Sequence, residues 1–402
     1  MSSAPAAPEL RLRRGEDRRL RAGHLWVFSN EVDVAATPLT AFAPGAHARL
    51  VSDRGQFIGH VYVNPHALIC ARVMSHTESE PIDVALLARR LRAALAWRER
   101  IHAGPYYRLV YGESDGLPGV VMDRYDEVLV GQIATAGMES LRPQLEQAIG
   151  EVLAPRALVW RNNGSARDLE QLPRELLVAR GELPEVLSVV EAGLRFEVPL
   201  AEAQKTGWFY DQTANRARLA GLMPAAARAL DVCSYAGAWA MAALAGGARE
   251  ATCVDSSAAA LAIAGRNAVA NGHVVGQDFR TLQADAFDAL DALHQAGERF
   301  DLVVLDPPAF IKRRKDVPRG QAAYRKLNLL ALRLLADEGL LVSCSCSYHL
   351  AEGELLGLVQ AAARHTQRFV QVVAVGGQSA DHPLHPAIPE TRYLKAFFCR
   401  VT

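Results

Sequence analysis

Two cysteines two residues apart stand at the end of an apolar run, in Ser343-Cys344-Ser345-Cys346-Ser347-Tyr348-His349. A thiol at a strand terminus beside an acid is a candidate nucleophile, because the thiolate is the most readily formed strong nucleophile among side chains at neutral pH. Strand geometry turns residues i and i+2 the same way, so spacing does not choose between Cys344 and Cys346. A second apolar run ends in Asp306-Pro307-Pro308-Ala309-Phe310. Two trans prolines give a rigid extended turn that holds a carboxylate and an aromatic ring over one crevice. That pair suits a flat polar substrate: the ring stacks, and the carboxylate bonds a ring nitrogen or an amino group. Lys312, Arg313, Arg314, Lys315, Arg319, Arg325 and Lys326 follow at once, opposed only by Asp316, and include three of the chain's five lysines. A basic run beside such a motif reads as a phosphate clamp. The other cysteines, Cys70, Cys233, Cys253 and Cys399, read as small buried hydrophobes.

These residues need a scaffold, and residues 191–402 supply its pattern. Apolar strand-like runs (Arg228–Cys233, Glu250–Asp255, Arg299–Asp306, Gly339–Cys344) alternate with helical stretches over Ala238–Ala245, Ser256–Asn271 and Tyr324–Ala336. Such alternation predicts a mostly parallel sheet with helices on both faces, binding ligands beyond the carboxyl ends of its strands. The first strand carries Asp231 and runs into Cys233-Ser234-Tyr235-Ala236-Gly237; the second ends at Asp255, placed to accept hydrogen bonds from ribose hydroxyls. Asp285 follows a third strand-like run and is placed for an adenine amino group. The loop has a single glycine, Gly237, where a pyrophosphate-binding loop needs a GxGxxG run. S-adenosylmethionine has an adenosine and no pyrophosphate, so the departure favours that cofactor, with Asp231, Ser234, Gly237, Asp255, Asp285 and Asp306 as its candidate contacts.

The rest of the chain divides in two. Residues 1–75 show short β-rich runs broken by Gly, Pro, Asn and Asp, with a basic opening of six arginines against three acids from Glu9 to Arg21. Residues 76–190 read as an α+β unit, with an amphipathic helix from Asp83 to Ile101. The 402 residues carry 44 basic and 44 acidic side chains and are 50% hydrophobic, which excludes a disordered chain or a polycationic coat but not local basic faces. The cysteines show no CxxC spacing, so neither a zinc site nor a disulfide framework is expected. The longest uncharged stretch, Val232–Ala248, is too short and too rich in small residues to span a bilayer, and the N-terminus lacks a signal-peptide pattern. A cytoplasmic protein with no membrane partner and no metal is expected.

Several stretches resemble the bacterial 23S rRNA cytosine-C5 methyltransferase family called RlmI: Leu25-Trp-Val-Phe-Ser, Gly112-Glu-Ser-Asp-Gly-Leu-Pro-Gly-Val-Val-Met-Asp-Arg-Tyr, Gln204-Lys-Thr-Gly-Trp-Phe-Tyr-Asp-Gln, Asp306-Pro-Pro-Ala-Phe, Ser345-Cys-Ser-Tyr-His and Tyr393-Leu-Lys-Ala-Phe. The likeness spans nearly the whole chain in order. It implies an N-terminal PUA RNA-binding β-barrel, a central α+β domain and a C-terminal Rossmann-like methyltransferase domain, that is, an α/β protein using S-adenosylmethionine on 23S rRNA. By the family pattern the nucleophile falls on Cys346, with Asp306 holding the base and Phe310, Lys312, Arg313, Arg314 and Lys315 meeting the RNA. Related RNA cytosine-C5 enzymes carry a second cysteine after a proline in the acid motif, where this chain has Pro308, Ala309 and Phe310, so the base that takes the C5 proton stays open among Cys344, His349 and water. The resemblance leaves a homodimer open. Two rival readings are an amino-group methyltransferase, since Asp-Pro-Pro-aromatic is shared with that chemistry, and a non-catalytic RNA-binding assembly factor.

Overall fold

The computed structural model describes residues 7–200 and 206–402; Gln204 and Lys205 of the Gln204–Gln212 stretch lie outside them. The chain forms two compact units, Met1–Pro184 with Asp381–Thr391, and Glu185–Ala380 with Arg392–Thr402.

The first unit holds two five-stranded sheets. One is built from Glu9–Arg11, Trp26–Phe28, Ala46–Val51, Phe57–Val63 and Ile69–Ser75, and a bridge between Leu12 and Val32 joins the segments that follow its two edge strands. The other runs Glu175–Arg180, Ala157–Asn162, Val128–Ile133, Val120–Tyr125, Tyr106–Tyr111 in spatial order. Helix Val84–Ile101 covers it with Leu87 and Leu91; its first turn is capped by Asp83, which accepts from the Leu86 amide at 2.8 Å.

The second unit opens with a hairpin, Val186–Glu191 against Leu194–Pro199, so the domain boundary expected after residue 190 falls inside it. Then come helix α1 (Thr213–Ala220) and a seven-stranded sheet: β1 (Arg228–Val232), β2 (Glu250–Asp255), β3 (Phe279–Gln283), β4 (Phe300–Leu305), β5 (Leu335–Ser345), β6 (Val370–Gly377) and β7 (Lys395–Val401). Their spatial order is β3-β2-β1-β4-β5-β7-β6. The first five are parallel, and β7 runs antiparallel to both neighbours. β1, β4 and most of β5 are buried apolar runs, as strands covered on both faces must be. Helices α2 (Ala238–Ala245), α3 (Ala258–Ala270), α4 (Ala286–Gln295), α5 (Val317–Leu334) and α6 (Glu352–Thr366) complete the layers. The strand order reverses between β1 and β4, so their carboxyl ends open a crevice there.

The helix expected over Tyr324–Ala336 starts seven residues earlier, at Val317, and ends at Leu334. Pro318 sits in its first turn, where a missing amide costs nothing. Arg319 therefore lies on the same helix as Arg325 and Lys326 rather than in the loop before it. No helix among the described residues is long and apolar enough to cross a membrane.

Candidate active site

The loop after β1 is bent by three residues at positive φ: Cys233 (63°), Tyr235 (47°) and Gly237 (78°). At Gly237 a side chain is doubly excluded, because an added Cβ would stand 3.0 Å from the Cβ of Ala264. Asp255 holds this loop: one carboxylate oxygen accepts from the Tyr235 amide at 3.0 Å and the other from Ser257 at 2.9 Å. Asp285 caps α4, accepting from the Phe287 amide at 2.8 Å, and is otherwise exposed. Asp231 stands behind the loop rather than on the cavity. It is 1% exposed, accepts one bond from the Ala240 amide at 3.1 Å, and burial pushes its carboxyl up to about 8.

This raised value has a sign that can be tested. In the unfolded chain Asp231 ionises near its ordinary value, ~4, whereas in the fold it keeps its proton to about 8. Its contribution to stability is thus full below pH ~4 and is lost as pH rises toward the folded value. Asp231→Asn should melt several degrees above the natural chain at pH 8, with the two converging near pH 4–5 in calorimetry of the cofactor-free protein. A gap that does not change with pH would refute this.

At the end of β4, Asp306 is held by two donors far away in sequence. Trp239 Nε1 of α2 donates to one oxygen and Gln212 Nε2 to the other, each at 3.0 Å. Gln212 is oriented in turn by Asn215, whose amide donates to Gln212 Oε1 at 2.7 Å and to the Gly377 carbonyl at 2.9 Å. Burial outweighs these bonds and pushes the Asp306 carboxyl up to about 6.

Cys346 lies one residue beyond β5. Ser345 and Ser347 turn inward and are bridged by the hydroxyl of Tyr324 on α5, at 2.9 and 3.0 Å. The Ser347 hydroxyl also accepts from the Ile311 amide at 3.1 Å, tying this turn to the segment after Asp306-Pro-Pro-Ala-Phe. Cys346, between the serines, turns the other way onto the cavity, and its thiol donates to the Pro307 carbonyl at 3.9 Å. Cys344 is 1% exposed and off the cavity, and burial pushes its thiol well above the ordinary range. The equivalence expected from strand alternation ends with the strand at Ser345.

A cavity of about 500 Å³ joins these groups: Ser234, Asp255, Asp285, Asp306, Phe310, Lys312 and Cys346 all line it. Phe310 packs against Tyr324 at 4.8 Å and Phe287 at 6.2 Å between ring centroids. Lys312 lines the cavity and is exposed; Arg313, Arg314 and Lys315 follow it, also exposed, and do not reach the lining. The lining also includes Asp211, Gln212 and Trp239, none of them among the expected contacts. Asp211 and Gln212 lay within the Gln204–Gln212 stretch. Trp239 gave no signal, since a tryptophan in an alanine-rich helix reads as core. Asp211 accepts from the Tyr393 hydroxyl at 2.5 Å. Among the described residues the one arginine on the lining, Arg216, is bound to Glu191 at 2.6 Å. The cavity wall is therefore anionic away from its basic rim, and suits a ligand bearing positive charge. Among the described residues no cluster of His, Cys, Asp and Glu fits a metal ion.

Comparison with known proteins agrees with this layout. Residues 10–76 match the model of a PUA-like domain, and residues 173–396 that of S-adenosylmethionine-dependent methyltransferases. The chain is 34% identical to the ribosomal RNA large subunit methyltransferase I of Salmonella arizonae, over 100% of this chain and 99% of that one. It is also 34% identical to the same-named protein of Cronobacter sakazakii, over 97% and 98%. Among solved structures, one described as a SAM-dependent methyltransferase from Streptococcus mutans superposes with a TM-score of 0.81 at 19% identity, covering 98% of this chain and 100% of that one. A methyltransferase complexed with SAH superposes at 0.82 and 20%, with the same coverage. At such identities the structural likeness is one of fold.

Proposed function

The chain belongs to the ribosomal RNA large subunit methyltransferase I family of S-adenosylmethionine-dependent enzymes, and from that premise we propose that it forms 5-methylcytidine in 23S rRNA through a covalent adduct of Cys346. The observation that carries this reading is the convergence of a partly accessible thiol and an acid of raised pKa on one cavity, with Cys346 Sγ 3.9 Å from the carbonyl of Pro307, the residue after Asp306. The residues present fit the cofactor, which bears a sulfonium and an ammonium group: Asp211, Asp255, Asp285 and Asp306 line the wall as carboxyl groups. When bound, it supplies an electrophilic methyl group.

Carbon 5 of cytosine is a poor nucleophile. The Cys346 thiolate adds to C6, the C5–C6 double bond opens, and its electrons move toward N3, where the acid form of Asp306 donates a proton. The resulting enamine is nucleophilic at C5. Once C5 carries the methyl group, its proton passes to water, the double bond reforms, the thiolate is expelled and the N3 proton returns to Asp306. Cys344 is unsuited to take the C5 proton, being buried with a thiol that holds its own proton. Lys312, Arg313, Arg314 and Lys315 would meet phosphates at the rim, Phe310 the base, and the PUA-like domain flanking RNA.

The test is incubation with S-adenosylmethionine and unmodified 23S rRNA, followed by nucleoside mass spectrometry. 5-Methylcytidine is expected. A methylated amino group made equally well by Cys346→Ala would establish the rival amino-directed chemistry, and binding of RNA and cofactor without any product would establish the assembly-factor reading.

A further inference from the structure

Lys395 is a buried cation that the steps above leave without a task. It opens β7, is 6% exposed, and its ammonium donates to the Ser347 carbonyl at 2.6 Å and the Leu350 carbonyl at 2.8 Å. Both carbonyls belong to the turn that begins at Cys346. An ionised Cys346 faces an unfavourable neighbour, because Asp306 lines the same cavity and its carboxylate form repels a thiolate there. A cation must offset that repulsion. The basic run from Lys312 to Lys315 is exposed, so water and salt screen its charges. The charge on Lys395 sits in the interior, where the same separation is worth several times more.

We propose that Lys395 is a positioning residue for the nucleophile: through the Ser347 and Leu350 carbonyls it fixes the turn that presents Cys346, and its ammonium is the buried charge that keeps the thiol ionised. The inference rests on the reading of Cys346 as nucleophile. Around the ammonium stand Cys346, Arg392, Glu352 and Glu354; around the thiol stand Tyr324, Cys344, Asp306 and Lys395. Burial draws the Lys395 ammonium down to about 8, and a negative charge on Cys346 acts to raise it, so the two charges would support each other.

The experiment follows the rate of Cys346 alkylation by iodoacetamide against pH in the full chain, with peptide mass spectrometry reporting each cysteine separately. In the natural protein the midpoint should lie below the ~8.5 of a free thiol. Lys395→Gln keeps a donor for the carbonyls and loses the charge, so its midpoint should rise by at least about one unit, making alkylation near pH 7 about tenfold slower. Lys395→Arg should recover most of that loss. An unchanged midpoint in a Lys395→Gln protein that still binds S-adenosylmethionine would reduce Lys395 to an anchor and overturn the proposal. If that variant does not fold, the natural protein decides: a midpoint at or above the free-thiol value overturns it equally. Alkylation needs neither RNA nor methyl transfer, so a failure here is distinct from finding that Cys346→Ala still makes 5-methylcytidine.

Discussion

Cys346→Ala should make no 5-methylcytidine above background, a loss on the order of 10³-fold or more, while keeping its fold and its affinity for S-adenosylmethionine. The size of the effect follows from the chemistry. Without the thiolate nothing raises electron density at C5, and no other thiol reaches that position: Cys344 is 1% exposed, and the thiol of Cys233, the other cysteine on the lining, is pushed far above the ordinary range by burial. An RNA carrying 5-fluorocytosine gives a direct readout. Fluorine blocks loss of the C5 substituent, so the adduct persists, and the natural protein should run as a covalent RNA complex on a denaturing gel. Cys346→Ala should give none, and Cys344→Ala should give nearly the natural amount. Full trapping by the Cys346 variant would end the covalent reading.

Asp306→Asn should lower turnover by about 10²–10⁴, the range for loss of a general acid. Asparagine keeps the shape but has a single acceptor oxygen, so it retains the bond from Trp239 or from Gln212 and not both; the loss therefore combines the proton that passes to N3 with one hydrogen bond. A carboxyl pushed up to about 6 is well placed for this task, because an ordinary aspartic acid would hold too little of its acid form near neutrality. The limb that Asp306 contributes to the pH–rate profile should lie near pH 6. Trp239→Phe removes a bond that favours the ionised carboxylate, so it should raise the pKa and move that limb to higher pH. Single-turnover rates between pH 5 and 9 would show the movement. Unchanged rates for Asp306→Asn would remove Asp306 from the proton path.

Much of this architecture is local and therefore readable along the chain. Apolar runs such as Phe300–Leu305 and Arg228–Val232, separated by helical stretches, already specify a parallel sheet, because a strand covered on both faces has no use for alternation. The acids at the strand ends follow from the same pattern, since the chain must turn where the apolar run stops, and Asp255 and Asp306 stand at those stops. The absence of a glycine-rich phosphate loop after Asp231 likewise selects the cofactor from the chain alone.

What the chain could not reveal alone was which groups meet across it. Trp239 and Asp306 are 67 residues apart, Gln212 and Asp306 94, and Lys395 and Ser347 48. No periodicity connects them, because side chains that pair across a fold are constrained by space and not by spacing. The choice between Cys344 and Cys346 is of the same kind. Their separation of two implies one common face only while the strand continues, and β5 ends at Ser345 because Tyr324 gathers the serines on either side of Cys346. Sequence alone thus determined the sheet, the cofactor class and the pair of chemical groups. The tertiary fold decided which thiol faces the cavity, that burial outweighs two donors and lifts the Asp306 carboxyl to about 6, and that a buried lysine holds the turn beginning at Cys346, since burial and long-range contact are what shift a titration and aim a side chain.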